Sequence, residues 1–276
     1  MSEVRFGCQF YTWQMSGQKY VGKLPHITGV VREAGFTGIE LETCMMGEYY
    51  DDAALLRDLL AERGLALGAL CLVCDWRGPR ETDEEQAAAE RLFRYLEGFP
   101  GTHLCLCQYP GADRLDLAGR QKNAIACANA VAARAADRGL ACSFHPNSPP
   151  GSVFRTEEDY RILLDGLDAR VVGFCPDSGH MARGGMDVLG MIREFRPLVR
   201  HVHFKDYGAD GEWKAMGRGG IDFPGIVSFL RETGYDGWIM VEEESVAAEH
   251  DPDGATLGNG RYLRETLLPL AAGATP

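Results

Sequence analysis

One stretch of the sequence ends an apolar run with several side chains that could bind a metal ion or transfer a proton. Residues 199–206 read VRHVHFKD and place His203, Lys205 and Asp206 at the end of the run. Such a run is typical of a buried parallel strand whose last residues emerge at a functional face. His201 stands two residues before His203; we expect it to face the other way if it still lies within the strand, and to have a structural role.

Two further apolar runs end in the same manner. Residues 171–176 lead into Asp177 and His180, and residues 237–241 lead into Glu242. Neighbouring parallel strands bring their carboxyl ends to one face, so side chains at these ends meet there. The pattern therefore predicts that the three stretches contribute to one site.

The donor types at these strand ends suit a borderline divalent cation. His145 follows a fourth run, residues 140–144, so that two histidines, one aspartate and one glutamate come from four successive strands. Imidazole combined with carboxylate indicates Mn²⁺, Co²⁺, Zn²⁺ or Fe²⁺ rather than Mg²⁺ or Ca²⁺. Each residue alone has an ordinary explanation: a buried histidine bonded to a carbonyl, an aspartate capping a turn, or a solvated acidic run. Their joint placement favours a metal site.

Apolar runs alternate with amphipathic stretches along the whole chain and predict eight strand–helix pairs. The predicted strands are residues 4–10, 37–42, 65–73, 102–108, 140–144, 171–175, 199–206 and 237–242. The predicted helices are residues 24–34, 51–63, 82–97, 116–138, 156–167, 186–195, 223–233 and 256–270. This α/β alternation implies a parallel sheet, and eight units predict one (β/α)₈ barrel domain over residues 1–276. An open doubly wound sheet is the alternative, but no glycine-rich phosphate turn follows the first strand.

The composition limits the partners of this chain. Its 276 residues carry a formal net charge of -12, which repels phosphate backbones, so we expect no nucleic-acid partner. No run of about 18 apolar residues predicts a membrane span, and the start of the chain does not look like a signal peptide. Most of the nine cysteines lie in apolar runs, which favours free thiols in a reducing cytoplasm.

The motifs at the strand ends resemble those of the xylose-isomerase-like TIM-barrel superfamily, which includes sugar isomerases, ketose 3-epimerases and inosose dehydratases. The similar segments are residues 35–40, 175–180, 201–206, 217–222 and 234–242. The resemblance implies that one divalent metal ion is held by four strand-end residues, namely His145, Asp177, His203 and Glu242. It also implies that His180 and Arg218 contact substrate oxygens.

The sequence departs from the epimerase pattern at His145, where the epimerases carry a glutamate that is both ligand and acid–base group. The dehydratase branch, with a His-Pro sequence at this point, is more similar. The resemblance therefore implies a metal-dependent enzyme that acts on a keto-sugar or inosose through an enediolate. A dehydratase is favoured, and a sugar isomerase or 3-epimerase is the alternative. Manganese is the expected ion, with cobalt, zinc or iron as alternatives.

Candidate residues for each role follow from the strand ends. Glu242, Lys205 and His180 are the candidates for proton transfer. We expect a neighbouring cation to lower the pKa of Lys205, and His180 to protonate a departing hydroxyl. The residues expected to contact a sugar or cyclitol are Arg218, Glu42, Gln108, Asn147 and Trp13.

Two other classes of function stay open, as does a homo-oligomeric state. A phosphodiester endonuclease on this fold would need more histidines for a trinuclear site than the seven present. A non-catalytic sugar-binding homologue would keep the barrel without stoichiometric metal.

Overall fold

The computed structural model, which describes residues 4 to 273, confirms the predicted barrel. Eight parallel strands form it: β1 Arg5–Gln9, β2 Gly38–Glu42, β3 Ala66–Cys74, β4 His103–Gln108, β5 Cys142–His145, β6 Val172–Phe174, β7 Val202–Phe204 and β8 Trp238–Val241. They pair in the order β6-β5-β4-β3-β2-β1-β8-β7. Two parallel bridges, Phe174 with Val199 and Asp177 with His203, join β6 to β7 and close the sheet.

The helices pack outside the strands and begin and end where the sequence carries the corresponding signals. They are Leu24–Ala34, Ala53–Arg63, Asp83–Leu96, Leu117–Ala136, Glu157–Gly166, Val188–Glu194, Phe223–Glu232 and Pro252–Tyr262, the last continuing through a π-helical turn, Leu263–Leu267, into Leu268–Ala271. The Thr82 hydroxyl accepts a hydrogen bond from the Glu85 N–H, and the Glu85 carboxylate accepts one from the Thr82 N–H. This capping box fixes the start of Asp83–Leu96.

Short elements decorate the mouth of the barrel. Three short helices, Tyr11–Gln14, Ser178–Arg183 and Val246–His250, follow β1, β6 and β8. The predicted strand 199–206 is too long, because the chain leaves the barrel after Phe204. Its last residue, Asp206, pairs together with Tyr207 against Trp213–Lys214 in a separate antiparallel hairpin.

The barrel interior is filled in layers. At the amino end of the strands, Trp238 and Met240 occupy the space left by glycines: a Cβ on Gly38 would lie 2.5 Å from the Trp238 ring, and one on Gly68 2.4 Å from Met240 Cε. A layer of cysteines lies in the interior as well, and ionisable side chains stand at the carboxyl ends of the strands. The polar groups that could form a site therefore lie at the carboxyl-end mouth of the barrel.

Residues 4 to 273 contain no helix that is long and apolar enough to cross a membrane. All nine cysteines are free. The first three residues, part of the segment in which we expect no signal peptide, lie outside the described residues, as do the last three.

Candidate active site

The structure brings His145, Asp177 and His203 together at the carboxyl ends of β5, β6 and β7. One ligand atom from each lies within 4.8 Å of the others, and all three side chains are buried. His145 Nε2 is 3.4 Å and His203 Nδ1 is 3.9 Å from the same oxygen, Asp177 Oδ2. Because the bridge that closes the barrel pairs Asp177 with His203, the backbone itself sets this proximity.

Glu242 follows β8 and faces the same group. Its Oε2 atom is 3.6 Å from His203 Nδ1. This Nδ1 atom is buried, and none of residues 4 to 273 forms a hydrogen bond with it. A buried nitrogen without a partner, aimed between the carboxylates of Asp177 and Glu242, matches what a metal ligand requires. His145, Asp177, His203 and Glu242 therefore fit a divalent ion, and we call these four residues the nitrogen–oxygen centre.

Glu40 of β2 holds the other side of the His203 ring. Its carboxylate lies 2.9 Å from His203 Nε2 and 2.5 Å from His201 Nε2. Burial opposes ionisation of Glu40, but the two imidazoles outweigh it and hold the pKa of the carboxyl well below its usual range. A carboxylate bonded to the far nitrogen fixes the ring and leaves Nδ1 for a metal ion. Sequence analysis gave Glu40 no role, although its alternation with Glu42 on β2 already places both on one face.

The opposite orientation that we expect of His201 within a strand is not observed. His201 directly precedes β7, and its ring and that of His203 both contact the buried Glu40 carboxylate inside the barrel. The structural role expected of His201 is compatible with this contact, because its ring braces the carboxylate that holds His203.

Lys205 lies buried among the carboxylates at the mouth. Its Nζ atom is 2.9 Å from Glu242 Oε1 and 3.6 Å from Asp177 Oδ2, and it also contacts Glu244. Burial lowers the pKa of Lys205, but these carboxylates outweigh burial and raise it well above the usual range. The lowering that we expect from a neighbouring cation stays a prediction, since the protein's own carboxylates act in the opposite direction. Against the opposing effect of burial, the same ammonium lowers the pKa of Glu242 to about 2.

His180 stands beside Lys205 as a neutral imidazole. Its Nε2 atom is 3.3 Å from Lys205 Nζ and its Nδ1 atom is 2.8 Å from Ser148 Oγ. Burial, together with the neighbouring ammonium, lowers the pKa of His180 to about 3. A neutral imidazole is a weaker proton donor than an imidazolium, and the proton transfer that we expect from His180 stays a prediction.

The centre opens into a cavity of about 340 Å³, within the range of small-molecule sites. Glu42, Gln108 and Asn147, all predicted to contact substrate, line it. The Glu42 carboxylate accepts a hydrogen bond of 3.1 Å from Gln14 Nε2, and burial raises its pKa to about 7.

Two of the lining amides are engaged with the protein backbone. Gln108 Nε2 donates to the Asp75 carbonyl at 2.8 Å, and Asn147 Nδ2 donates to the Gln108 carbonyl at 2.7 Å. These bonds hold the loops after β3, β4 and β5 together, so Gln108 and Asn147 shape the wall of the cavity.

Trp13 and Arg218 do not line this cavity, in contrast to the expected substrate contacts. Trp13 is fully buried, and its indole N–H donates to Asp253 Oδ1 at 2.7 Å. Arg218 is exposed on a loop that Asp206 pins, because its Oδ2 atom accepts from the N–H groups of Gly217 and Gly219 at 2.9 and 2.8 Å.

The arginine in the cavity is Arg183, which sequence analysis missed. It ends the helix Ser178–Arg183, three residues after His180. The available signal was helical spacing, since residues three apart lie on one face of a helix.

Comparisons with known proteins place the fold in a known family. The family model of the xylose isomerase-like TIM barrel matches residues 29–266. The rhizopine catabolism protein MocC of Rhizobium meliloti is 30% identical, over 88% of this chain and 80% of the relative. An inosose dehydratase of Clostridium perfringens is 28% identical, but the match spans only 50% of this chain and 52% of that enzyme, about half of each.

A solved structure, the IolI protein with a zinc atom, superposes with a TM-score of 0.73 at 15% identity, over 100% of this chain and 99% of that one. At this identity the likeness concerns the fold alone. With the family match covering most of its length, this chain belongs to the xylose isomerase-like TIM barrel family.

Proposed function

We propose that this chain is a divalent-metal-dependent enzyme that enolises a keto-sugar or an inosose, with dehydration favoured over isomerisation or 3-epimerisation. The observation that carries the proposal is the buried His203 Nδ1 atom, which has no hydrogen-bond partner in the described part of the chain. It faces Asp177 and Glu242 beside a cavity of about 340 Å³. The partial similarity to inosose dehydratases supports a cyclic polyol ketone as the substrate.

A metal ion at the nitrogen–oxygen centre would polarise the substrate carbonyl and stabilise the enediolate. Manganese is our first choice of ion, and cobalt, zinc and iron are the alternatives that the donor set allows.

Two side chains that line the cavity, Glu42 at the end of β2 and Lys205 after β7, would carry out the proton transfers. Glu42, whose pKa of about 7 is close to neutral pH, is suited to remove the proton from the carbon beside the carbonyl. The Lys205 ammonium is suited to protonate the hydroxyl that leaves the next carbon. The C–H and C–O bonds break, a C=C bond forms, and one water leaves.

Epimerisation would need the proton to return on the opposite face of the same carbon. The ketose 3-epimerases use a second glutamate for this, and this chain has His145 at that position. A buried ammonium that can donate to a leaving hydroxyl suits elimination better.

The test is to remove the metal with a chelator, verify its removal by elemental analysis, and assay 2-keto-inositol and free ketoses with and without Mn²⁺. We expect a product lighter by one water that forms only with metal. Lys205→Met should abolish it, whereas Lys122→Met, at an exposed position on the helix Leu117–Ala136, should not. Activity that is indifferent to chelation contradicts the proposal, and a product of unchanged mass assigns the isomerase or epimerase alternative.

We also propose that the protein works in the cytoplasm and without nucleic acid. Its nine free cysteines and its net charge of -12 support this. Retention on a heparin column at moderate salt would count against the second part.

A further inference from the structure

A cluster of cysteines lies inside the barrel beside the nitrogen–oxygen centre and has no role in the proposed reaction. Cys71 belongs to β3 and is paired in register with Cys105 of β4. Cys107 follows two residues later on β4, so that both β4 thiols point inward. Cys107 is itself paired in register with His145.

The spacing of the three sulfur atoms matches that of thiolates around one ion. The Sγ atoms of Cys71, Cys105 and Cys107 all lie within 4.8 Å of one another. The distance between Cys105 Sγ and Cys107 Sγ is 3.9 Å. Three thiolates at about 2.3 Å from a shared ion, in tetrahedral or trigonal arrangement, are separated by about 3.8–4.0 Å.

We propose that Cys71, Cys105 and Cys107 form a second binding site, for a thiophilic cation such as Cd²⁺, Zn²⁺ or Cu⁺. Soft thiolate donors select such ions, whereas the nitrogen–oxygen centre suits harder ones. Cys71 and Cys107 line the cavity, which provides the route of entry. Cys74, the partner of Cys71 in a C-x-x-C motif, packs in the main hydrophobic cluster instead and does not contribute.

Binding of an ion by Cys71 would break one hydrogen bond, and Glu40 would keep its two other contacts. The Cys71 thiol donates to Glu40 Oε1 at 3.0 Å, and this bond is lost when the thiol releases its proton to bind an ion. Glu40 keeps its contacts with His201 and His203. The other sulfur group, Cys105 and Cys175 with His203, is less suitable because Glu40 and the nitrogen–oxygen centre already engage the two nitrogens of the His203 ring.

The test uses the whole protein and sulfur-to-metal charge transfer. The nitrogen–oxygen centre is first saturated with Mn²⁺, and Cd²⁺ is then titrated while ultraviolet absorption is recorded. We expect one equivalent of Cd²⁺ to produce thiolate-to-cadmium absorption. The signal should be lost in Cys71→Ser/Cys107→Ser and kept in Cys44→Ser, whose cysteine is exposed outside the cluster. The centre supplies no sulfur, so the result does not depend on the proposed reaction.

A second measurement needs no variant and covers the case in which the double variant fails to fold. In the wild-type protein, Cd²⁺ should slow alkylation of Cys71 and Cys107 at least tenfold while Cys44 reacts at an unchanged rate, as read by peptide mass spectrometry. The proposal is overturned if the wild-type protein shows no charge-transfer absorption, if the double variant keeps it, or if Cd²⁺ leaves the alkylation rates of Cys71 and Cys107 unchanged.

Discussion

The two halves of the barrel deliver different chemistry to the same cavity. The second half, β5 to β8, supplies all four residues of the nitrogen–oxygen centre and the Lys205 ammonium. The first half, β1 to β4, supplies Glu40, Glu42 and the three clustered thiols. The donors of the nitrogen–oxygen centre thus come from one side of the barrel, whereas Glu40, which orients His203, and the thiol cluster come from the other.

The two halves differ in how their charged groups are stabilised. In the second half, the buried Lys205 ammonium compensates the carboxylates of Asp177, Glu242 and Glu244, so the loss of one group leaves another buried charge without its partner. In the first half, the Glu40 carboxylate contacts the His201 and His203 rings, so it affects the nitrogen–oxygen centre by orienting His203. Substitution of a carboxylate of the nitrogen–oxygen centre in the second half should therefore reduce metal affinity most, whereas substitution of Glu40 in the first half should reduce it less.

The largest effect is expected from Asp177→Asn in the second half. The neutral amide removes one of the charges that would hold a metal ion and that compensates Lys205, so metal affinity should fall by more than about 100-fold. Isothermal titration with Mn²⁺ measures this. Asp58→Asn, at an exposed position on the helix Ala53–Arg63, is the control and should bind as the wild type does.

A smaller effect is expected from Glu40→Gln in the first half. The amide keeps the shape of the side chain but weakens its hold on the His203 ring, so metal affinity should fall by about 10- to 100-fold. The same titration measures it. If Glu40→Gln is as damaging as Asp177→Asn, the distinction between a binding half and an orienting half is wrong.

Glu42 should give the first half a measurable pH dependence of stability. Its pKa rises from an ordinary value of 4.5 to about 7, so the folded state binds this proton more tightly than the unfolded state does. Its contribution to stability is present below pH 4.5 and is lost as the pH rises through 7. Urea unfolding at pH 5 and pH 8 should show a larger loss in the wild type than in Glu42→Gln, by on the order of 1–2 kcal/mol. Equal losses in both proteins would contradict this assignment.

The smallest effect should come from Thr82→Ala, which lies in the first half but outside the cavity. Loss of the capping box should reduce the free energy of unfolding by about 1 kcal/mol without changing metal affinity. Chemical denaturation and the Mn²⁺ titration check the two parts. A change in metal affinity would show that the outer helices influence the centre and would weaken the comparison.

The sequence was sufficient for those features that local patterns control. Apolar periodicity predicted the eight strands, and the capping residues predicted helix starts such as that at Thr82. Strand ends also indicated Asp177 and His203, because parallel strands must bring these ends together.

Features that depend on distant partners were not predictable. Trp13 is turned away from the cavity by Asp253, 240 residues further along the chain. The pKa of Lys205 depends on carboxylates from two other strand ends, so its direction could not be read from neighbouring residues. Arg218 is held outward by backbone bonds to Asp206, which no pattern of side-chain types reveals.

The pairing of Asp177 with His203 has a consequence for how the molecule is assembled. This pairing is one of the two bridges that join β6 to β7 and close the barrel. A metal ion bound by residues at the ends of both β6 and β7 would stabilise the closed barrel, because it would bind the closed form and not a form in which the two strands are apart. Metal binding and closure of the barrel would then be thermodynamically linked.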